Sequence, residues 1–238
     1  MSDNYIPRVL ITGGGKGIGL ATVKKFIEDK NSYEIIIVDK DFSKFPKSIV
    51  SKVRCIEYNL LDLDNIPKLI IDVGNIDILV NNAGILNALP YDNYPAKKQD
   101  EMLTLDLFAP IELIKEFSKS MIKKKNGRIV NLSSMAAHVG HSDIWYGIAK
   151  AGIVNVTKSF SKILGPEGIV INCVAPGPVD TDMLQTAPKE RKEAFKASSI
   201  EKRYATVEEI AETIFWLATS SPRYINGVCI DVNNGIHL

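Results

Sequence analysis

The segment Thr12–Gly19 limits what this chain can fold into more than any other, because its glycines separate two segments of different pattern. Residues Arg8–Thr12 before it are short, apolar and β-branched, which predicts a buried strand. Residues Leu20–Ile27 after it carry apolar side chains at helical spacing. Glycines let the backbone approach a ligand closely, and a helix start offers unpaired N–H groups to an anion. The order strand, glycine turn, helix therefore predicts a pyrophosphate site.

The glycine spacing narrows the type of site. The pattern G-x-G-x-x-G fits no frame here, and the P-loop pattern fails because the lysine of the loop is followed by glycine. The spacing that fits is Gly13-x-x-x-Gly17-x-Gly19. Asp39, 20 positions after the last of these glycines, ends a second strand-like segment, Glu34–Asp39. A carboxylate there would meet the ribose hydroxyls of adenosine, so the pattern favours a dinucleotide.

Composition excludes several classes of function. The chain has 238 residues, of which 45% are hydrophobic and 24% are charged, enough for one α/β domain over residues 1–238. Its net charge of +1 gives no overall basic field for nucleic acid or an anionic membrane. No apolar segment approaches the roughly 18 residues that span a bilayer, and no signal-peptide pattern opens the chain. We therefore expect a cytoplasmic protein with no membrane or nucleic-acid partner.

The cysteines argue against a metal site. Cys55, Cys173 and Cys229 are far apart in sequence, and there is no C-x-x-C and no histidine at ligand spacing. We expect them to be buried thiols in strands, and we predict no metal.

Seven segments have the short apolar pattern of buried strands, and helical patterns separate most of them. They are Arg8–Thr12, Glu34–Asp39, Val53–Tyr58, Ile76–Asn81, Arg128–Ser133, Ile169–Ala175 and Val228–Val232. This alternation predicts right-handed β-α-β crossovers in a single-domain, Rossmann-type α/β fold, a doubly wound parallel sheet with helices on both faces. Functional groups collect at the carboxyl ends of such strands.

Three residues after the fifth strand-like segment form a chemical set. Ser134 follows that segment directly, and a helix predicted to begin with Tyr146 places Lys150 on the same face, four positions later. A phenol has an unperturbed pKa near about 10, and a neighbouring ammonium favours its ionised form. A serine hydroxyl could hydrogen-bond a substrate oxygen while the phenol gives or removes a proton there.

In combination these motifs resemble the short-chain dehydrogenase/reductase family over essentially the whole chain. The matching elements are Thr12-Gly13-x-x-x-Gly17-x-Gly19, Asn81–Gly84, Ser134, Tyr146-x-x-x-Lys150, and Ala175–Gly177 followed by Thr181. The resemblance implies that Ser134 polarises a carbonyl or hydroxyl, that Tyr146 is the acid/base, and that Lys150 assists Tyr146 and binds the nicotinamide ribose. The hydride passes to or from the cofactor, which carries the difficult chemistry.

The same resemblance implies a set of cofactor-binding residues. They are Gly13, Gly15, Lys16, Gly17, Ile18, Gly19, Asp39, Asn59, Leu60, Asn82, Ala83, Gly84, Tyr146, Lys150, Pro176, Gly177, Val179 and Thr181. Within this set, Asn82–Gly84 would line the adenosine side, and Val179 and Thr181 would hold the nicotinamide carboxamide. Residues 182–203 would cover the substrate as a lid.

Three positions depart from the family pattern. Asp106, in a helix predicted near Leu103–Lys125, replaces an Asn whose main-chain carbonyl, in the family, holds a water of the proton relay behind the lysine. Pro110 leaves that carbonyl free, so we include Asp106 among the catalytic residues, although its carboxylate near Lys150 would oppose part of the ammonium's effect. Asn59 replaces an Asp that commonly contacts adenine. One glycine of the usual pair near the end of Val232–Gly235 is Asn, which tolerates left-handed backbone better than most residues.

The coenzyme preference rests on opposing charges. Asp39 would repel the 2′-phosphate of NADP(H) and accept hydrogen bonds from the bare ribose of NAD(H). Lys16 and Lys40 favour NADP(H), because family members that bind it often carry a basic residue at one of these places. We give Asp39 more weight, so NAD(H) is the preferred cofactor and NADP(H) remains possible.

The substrate is predicted only as a small carbonyl or alcohol. Spacing from Pro176 onward is most similar to 3-oxoacyl-(acyl-carrier-protein) reductases, and Lys123–Lys125 with Arg128 would then meet an acidic acyl carrier protein. Asp39 stands against this, because those reductases generally use NADPH. The segment Asp180–Met183 also resembles NAD-dependent dehydrogenases of cyclic dihydrodiols.

A different class, a non-catalytic dinucleotide-binding sensor or scaffold, stays open as an alternative. Retention of Ser134, Tyr146 and Lys150 argues against it, because binding alone does not need all three. The resemblance also implies a homodimer or homotetramer formed through the helices near Leu103 and Tyr146. The apolar residues offered for contact, some of which must face the sheet, are Ile148, Ile153, Val156 and Phe160.

Overall fold

The computed structural model describes residues 5–185 and 188–237 as a parallel sheet with helices on both faces. The strands are β1 (Arg8–Thr12), β2 (Glu34–Asp39), β3 (Arg54–Glu57), β4 (Ile78–Asn81), β5 (Gly127–Leu132), β6 (Ile169–Pro176) and β7 (Cys229–Val232). Their order is β3-β2-β1-β4-β5-β6-β7, and every neighbouring pair is parallel. The predicted doubly wound fold is confirmed, and each predicted strand is found within two residues of its expected ends.

Helices follow most strands. They are α1 (Gly17–Glu28), α2 (Ile66–Val73), α3 (Ala96–Leu103), α4 (Ala109–Lys124), α5 (Ala136–Val139), α6 (Ile144–Leu164), α7 (Asp182–Gln185), α8 (Lys189–Ser198) and α9 (Val207–Thr219). Short 3₁₀ turns occupy Val50–Lys52, Tyr91–Asn93 and Gly165–Glu167. Within the described ranges, no helix has the length and apolar character needed to cross a membrane.

Two hydrophobic cores lie on opposite faces of the sheet, because successive side chains of a strand point to opposite sides. In β1, Leu10 packs into the core that receives α2, α4 and α6, whereas Val9 and Ile11 pack into the core that receives α1 and α9. Strands buried on both faces read as continuous apolar runs, which is why the sequence pattern identified them.

The strand order fixes where a ligand can bind. The chain leaves β1 towards β2 on one side and later places β4 on the other side of β1. In open α/β sheets, such a reversal opens a crevice at the carboxyl ends of the two strands. The glycine turn follows β1, and Asn82–Gly84 follow β4, so both stand at this crevice.

The helix predicted near Leu103–Lys125 is longer and less regular than expected. It begins at Ala96, and a π-helical stretch, Thr104–Phe108, separates α3 from α4. The N–H of Ala109 donates to the carbonyl of Thr104, five residues earlier, instead of four. Pro110 has no N–H, so a regular α-helical ladder cannot run through this turn.

An aromatic cluster holds α1 and α9 together, and it yields a stability prediction. Phe26 is 1% exposed, and its ring centroid lies 5.0 Å from that of Tyr33 and 4.9 Å from that of Phe215, both edge-on. We expect Phe26→Ala to lower the free energy of unfolding by about 3–5 kcal/mol, measured by urea denaturation. Ile71→Ala, at a side chain 80% exposed, should change it by less than about 0.5 kcal/mol. Equal losses in the two variants would contradict this account.

Candidate active site

The glycine turn has the geometry of a phosphate cradle. Gly13 and Gly17 have φ angles of +64° and +55°, a region that favours glycine. A Cβ added to Gly19 would lie 2.1 Å from the carbonyl oxygen of Gly13, so only glycine fits there. Lys16 is the N-cap of α1 and makes no side-chain capping bond, so it leaves the first N–H groups of the helix to a ligand.

Asp39 lies against this turn. One carboxylate oxygen of Asp39 accepts from the N–H of Gly15 at 2.9 Å, and the other accepts from the N–H of Lys40 at 2.7 Å. A Cβ at Gly15 would lie 2.8 Å from that carboxylate. Sequence reasoning thus placed Asp39 at the turn, although not its contact with Gly15. The Lys16 ammonium lies 3.9 Å from Asp182 on the exposed surface.

The segment after β4 contacts the turn. Asn82 donates to the carbonyls of Thr12 and Gly13 at 2.9 and 3.0 Å, and the N–H of Ala83 donates to the Thr12 hydroxyl at 3.1 Å. After β3, Asn59 is exposed beside the buried Leu60, and its amide oxygen accepts from the N–H of Leu61 at 3.2 Å. A glycine cradle, a free helix start and a carboxylate at the next strand end together fit a dinucleotide.

The catalytic helix begins two residues earlier than expected, at Ile144. Its N-cap is Asp143, a fully buried carboxylate that accepts from the N–H of Tyr146 at 3.3 Å and from the N–H of Ala88 at 2.9 Å. Sequence reasoning missed Asp143, although an Asp immediately before an apolar helical segment, here Ile144 onward, is an N-cap signal. It joins the start of α6 to the segment after β4.

Tyr146 and Lys150 lie on successive turns of α6, as predicted. The Lys150 ammonium is 5.6 Å from the centroid of the Tyr146 ring, and it donates to the carbonyl of Leu132 at 3.2 Å. Leu132 is two residues before Ser134, whose hydroxyl oxygen accepts from the N–H of Ala136 at 3.2 Å. The end of β5 and the first turns of α6 are thus joined at this point.

Asp106 completes the group. Its carboxylate is 1% exposed and lies 2.9 Å from the Lys150 ammonium, itself 4% exposed. The other carboxylate oxygen accepts from the N–H of Ile85 at 2.8 Å. A Cβ at Gly84 would lie 2.8 Å from Asp106 and 3.2 Å from the Lys150 nitrogen, so Gly84 borders this ion pair. The carboxylate expected near Lys150 is present.

Burial and charge act in opposite directions on the pair. Burial raises the pKa of Asp106 above its usual range, although the Lys150 charge opposes this. Burial by itself would lower the pKa of Lys150, but the charge and hydrogen bond of Asp106 together with Tyr146 outweigh it, and the pKa is raised. Lys150 therefore stays protonated beside its partner.

The remaining predicted cofactor residues follow β6. Pro176 ends that strand, and the N–H of Gly177 donates to the carbonyl of Val232 at 2.9 Å. Val179 is buried and pairs with Ala205, while the Thr181 hydroxyl donates to the Val179 carbonyl at 3.3 Å.

Two helices lie in the segment predicted to cover the substrate. Helices α7 and α8 occupy most of residues 182–203, and Thr186 and Ala187 lie outside the described residues. In the terminal segment, Asn234 has a φ of +50°, so the expected tolerance of Asn for left-handed backbone is used there.

One further cluster could hold a metal ion. His138 Nε2 lies 3.3 Å from a carboxylate oxygen of Asp231 and 3.8 Å from Cys229 Sγ, and the three ligand atoms are within 4.8 Å of one another. A contact between histidine and carboxylate accounts for this arrangement without a metal. The absence of a metal therefore stays a prediction.

The basic residues proposed for a carrier protein lie elsewhere. Lys124 ends α4, and its ammonium is paired with Asp77 at 2.8 Å. Arg128, near the amino end of β5, donates to the carbonyl of Leu217 and the hydroxyl of Ser221 at 3.0 and 2.8 Å. Arg128 is separated from Ser134 by the length of β5, roughly 20 Å. Lys123 and Lys125 are exposed, so docking of a carrier protein on this basic run stays a prediction.

The crevice, glycine cradle and buried lysine beside a tyrosine define a dinucleotide-dependent oxidoreductase, and comparisons with known proteins agree. A family model described as enoyl-(acyl carrier protein) reductase matches residues 13–237. The 3-oxoacyl-(acyl-carrier-protein) reductase of Aquifex aeolicus is 32% identical over 237 residues, 95% of this chain and 96% of that enzyme. The enzyme of the same name from Haemophilus influenzae is 32% identical over 240 residues, 96% of this chain and 97% of that enzyme.

Solved structures show the same fold. A mutant of a short-chain dehydrogenase/reductase from Serratia marcescens has a TM-score of 0.85 and 28% identity, with 97% of each chain covered. A 4-hydroxyisoleucine dehydrogenase complexed with NADH has a TM-score of 0.89 at 22% identity, covering 97% of this chain and 98% of that one. The chain belongs to the short-chain dehydrogenase/reductase family. It is an NAD(P)-dependent oxidoreductase that acts on carbonyl or alcohol groups.

The buried ion pair yields a prediction about pH. Asp106→Asn keeps an oxygen for the N–H of Ile85 but removes the charge that opposes the effect of Lys150 on the phenol. If Tyr146 is the base in alcohol oxidation, as the family resemblance implies, the rise of rate with pH should move to lower pH. The measurement is kcat/KM across pH for each enzyme.

The matched control for this prediction is Asp77→Asn, which also removes a buried carboxylate paired with a lysine, but at the opposite edge of the sheet. It should leave the pH profile where it was. An unchanged profile in Asp106→Asn would reject the role assigned to this carboxylate.

Proposed function

We propose that Ser134, Tyr146 and Lys150 transfer a proton at the oxygen of a carbonyl or secondary-alcohol substrate, and that Asp106 sets the strength of the lysine's effect. The observation that carries this proposal is the buried Lys150, held between Tyr146, Asp106 and the carbonyl of Leu132. A binding protein has no need of a buried ammonium beside a phenol. The nicotinamide cofactor supplies the hydride chemistry when bound.

Each residue has a distinct task in this proposal. Ser134 holds the substrate oxygen by a hydrogen bond, and Tyr146 gives a proton to that oxygen in reduction or removes one in oxidation. Lys150 favours the ionised phenol through its charge. Asp143 positions Tyr146 by capping α6, and it does not itself meet the substrate.

For the cofactor, we infer a preference for NAD(H). The Asp39 carboxylate accepts from the N–H of Gly15 and so stands beside the turn that would hold the phosphates. Like charges brought together at a binding surface cost several kcal/mol, which favours the dinucleotide without the 2′-phosphate. We further propose that the remaining predicted cofactor residues, among them Pro176, Gly177, Val179 and Thr181, line the nicotinamide half.

Residues 182–203 are proposed as a cover for the substrate. Helix α8 is attached in its first half, where the Tyr204 hydroxyl donates to the carbonyl of Lys192 at 2.7 Å. Just after the helix, the N–H of Ile200 donates to the carbonyl of Asn234 in the terminal segment at 3.0 Å.

We also propose a homodimer or homotetramer. Phe108 and Ile148 are 44% and 49% exposed, and they lie on the π-helical stretch and on α6, which contact each other. Ile153, also considered for this face, is buried in the core and cannot contribute. Exposed apolar side chains on adjoining helices support an interface there.

A second candidate substrate is a 3-oxoacyl group on acyl carrier protein. The relatives that carry this name match nearly the whole chain, which favours it. Lys124 and Arg128 are bonded within the chain, whereas Lys123 and Lys125 are exposed and would be the lysines that meet a carrier protein.

The cofactor proposal predicts that NADH binds more tightly than NADPH in a direct fluorescence titration. Asp39→Asn should reduce that preference by at least about tenfold, because the carboxylate that repels the 2′-phosphate is removed. Asp41→Asn is the matched control, because its carboxylate binds the hydroxyl and N–H of Ser43 instead of the glycine turn. Tighter binding of NADPH to the unaltered enzyme would reject the preference.

The catalytic proposal predicts that Tyr146→Phe abolishes turnover and leaves NADH binding within about twofold. The assay is consumption of reduced cofactor with a β-ketoacyl thioester and with small ketones, run in parallel with NADH and NADPH. Turnover of the thioester with NADPH would establish the hypothesis that the substrate is a 3-oxoacyl group on acyl carrier protein. Full activity in Tyr146→Phe would reject the assigned acid/base.

A further inference from the structure

Arg191 connects the predicted lid to the loop before the catalytic helix. Its guanidinium donates to the hydroxyl of Ser142 at 2.7 Å through one nitrogen, and another nitrogen lies 2.7 Å from His141 Nε2. The guanidinium carbon lies 5.2 Å from the centroid of the Phe195 ring, one turn further along α8. Arg191 is therefore held in one orientation, pointing back from α8 towards that loop.

His141 brings this cation close to the proposed acid/base. The His141 ring packs against the Tyr146 ring with a centroid distance of 5.1 Å and an angle of 59°. The His141 side chain therefore lies between the Arg191 guanidinium and the Tyr146 ring. A substrate that reacts at Tyr146 would lie near this cation.

The contact between Arg191 and His141 leaves a hydrogen-bond donor without an acceptor in every protonation state of the histidine ring. The N–H of Asp143 donates to His141 Nδ1 at 3.1 Å, so a neutral ring carries its proton on Nε2. That N–H then faces a guanidinium nitrogen, which is also only a donor. The other tautomer moves the conflict to Asp143, and a protonated ring has both conflicts.

The charge of Arg191 also lacks a partner of opposite sign. Across residues 5–185 and 188–237, no carboxylate forms an ion pair with Arg191. Burial lowers the pKa of His141, and the Arg191 charge lowers it further, so the ring is neutral at physiological pH. An oxyanion that separated the two nitrogens from their present 2.7 Å contact and took its place between them would accept from both donors and remove both problems.

We propose that Arg191 and His141 form an anion-binding subsite for a carboxylate or phosphate carried by the carbonyl or alcohol substrate. This inference rests on the proposed function, because it needs Tyr146 to act on the same molecule. The anionic group would lie a few bonds from the reacting oxygen, given the contact between His141 and Tyr146. Ser142 and Phe195 are positioning residues that keep the guanidinium in place.

The first test compares matched substrates. The pairs are 3-oxobutanoate with its methyl ester, and dihydroxyacetone phosphate with dihydroxyacetone, so the arms separate carboxylate from phosphate. The unaltered enzyme should prefer the anionic member of one pair in kcat/KM. Arg191→Gln should lower that preference by about 10- to 100-fold, as expected for a lost hydrogen bond to a charged group. Lys162→Gln, at an exposed lysine on the far turn of α6, should not.

The second test does not depend on turnover. The chain has 3 histidines, so the ring signals of labelled protein can be assigned with His141→Gln. Sodium acetate or sodium phosphate should shift the His141 signals in a saturable way, compared with sodium chloride at equal ionic strength. The shift should be absent in Arg191→Gln and retained in Lys162→Gln.

The outcomes distinguish this inference from the proposed function. Equal turnover of anionic and neutral ketones would overturn the subsite and leave the oxidoreductase proposal intact. If no ketone is turned over but the His141 signals shift in a saturable way, the subsite is supported and the ketones tested are not the enzyme's substrates. Absence of any shift with both anions up to tens of millimolar would overturn the subsite whatever the turnover.

Discussion

The buried ion pair between Lys150 and Asp106 is the interaction on which the surrounding structure depends. Removing a lysine and a carboxylate from water costs several kcal/mol for each ion, and only close pairing with further hydrogen bonds offsets that cost. The further bonds come from Leu132 at the end of β5 and from Ile85 after β4. Gly84 lies against both ions, where a Cβ would collide. Two strand ends and two helices are thereby held around one charged pair.

The rest of the site is built by bringing separate loops to one edge of the sheet. Because every strand is parallel, the turn after β1, the segment after β4 and Ser134 after β5 all leave the sheet on the same side. The glycine turn supplies backbone donors, and the later segments supply side chains. The division agrees with the fold, since a doubly wound sheet consists of two halves that bind a dinucleotide across the crevice between them.

The sequence predicted the features that depend on residues close together along the chain. It did not predict the contacts that join distant elements. The strands were predictable because burial on both faces makes them uniformly apolar, and Tyr146 with Lys150 because four residues make one helical turn. The contact of Arg191 with His141 joins residues 50 positions apart, and no local pattern encodes it. The sequence did not reveal that Arg128 is hydrogen-bonded within the chain, because a run of basic residues looks the same whether its charges are free or paired. Asp143 alone was missed although a local signal existed.

In the π-helical stretch Thr104–Phe108, the number of residues determines which side chains point towards the active site. A π turn holds one residue more than an α turn, so it acts as an insertion that rotates everything after it by about 100° relative to what precedes it. Asp106 lies within this stretch and points inward to Lys150, while Phe108, two residues later, is exposed. Loss of one residue here would regularise the helix and still change which side chains reach the lysine. A relative with one residue fewer at this point would therefore present different side chains to its lysine, even where every aligned catalytic residue is the same.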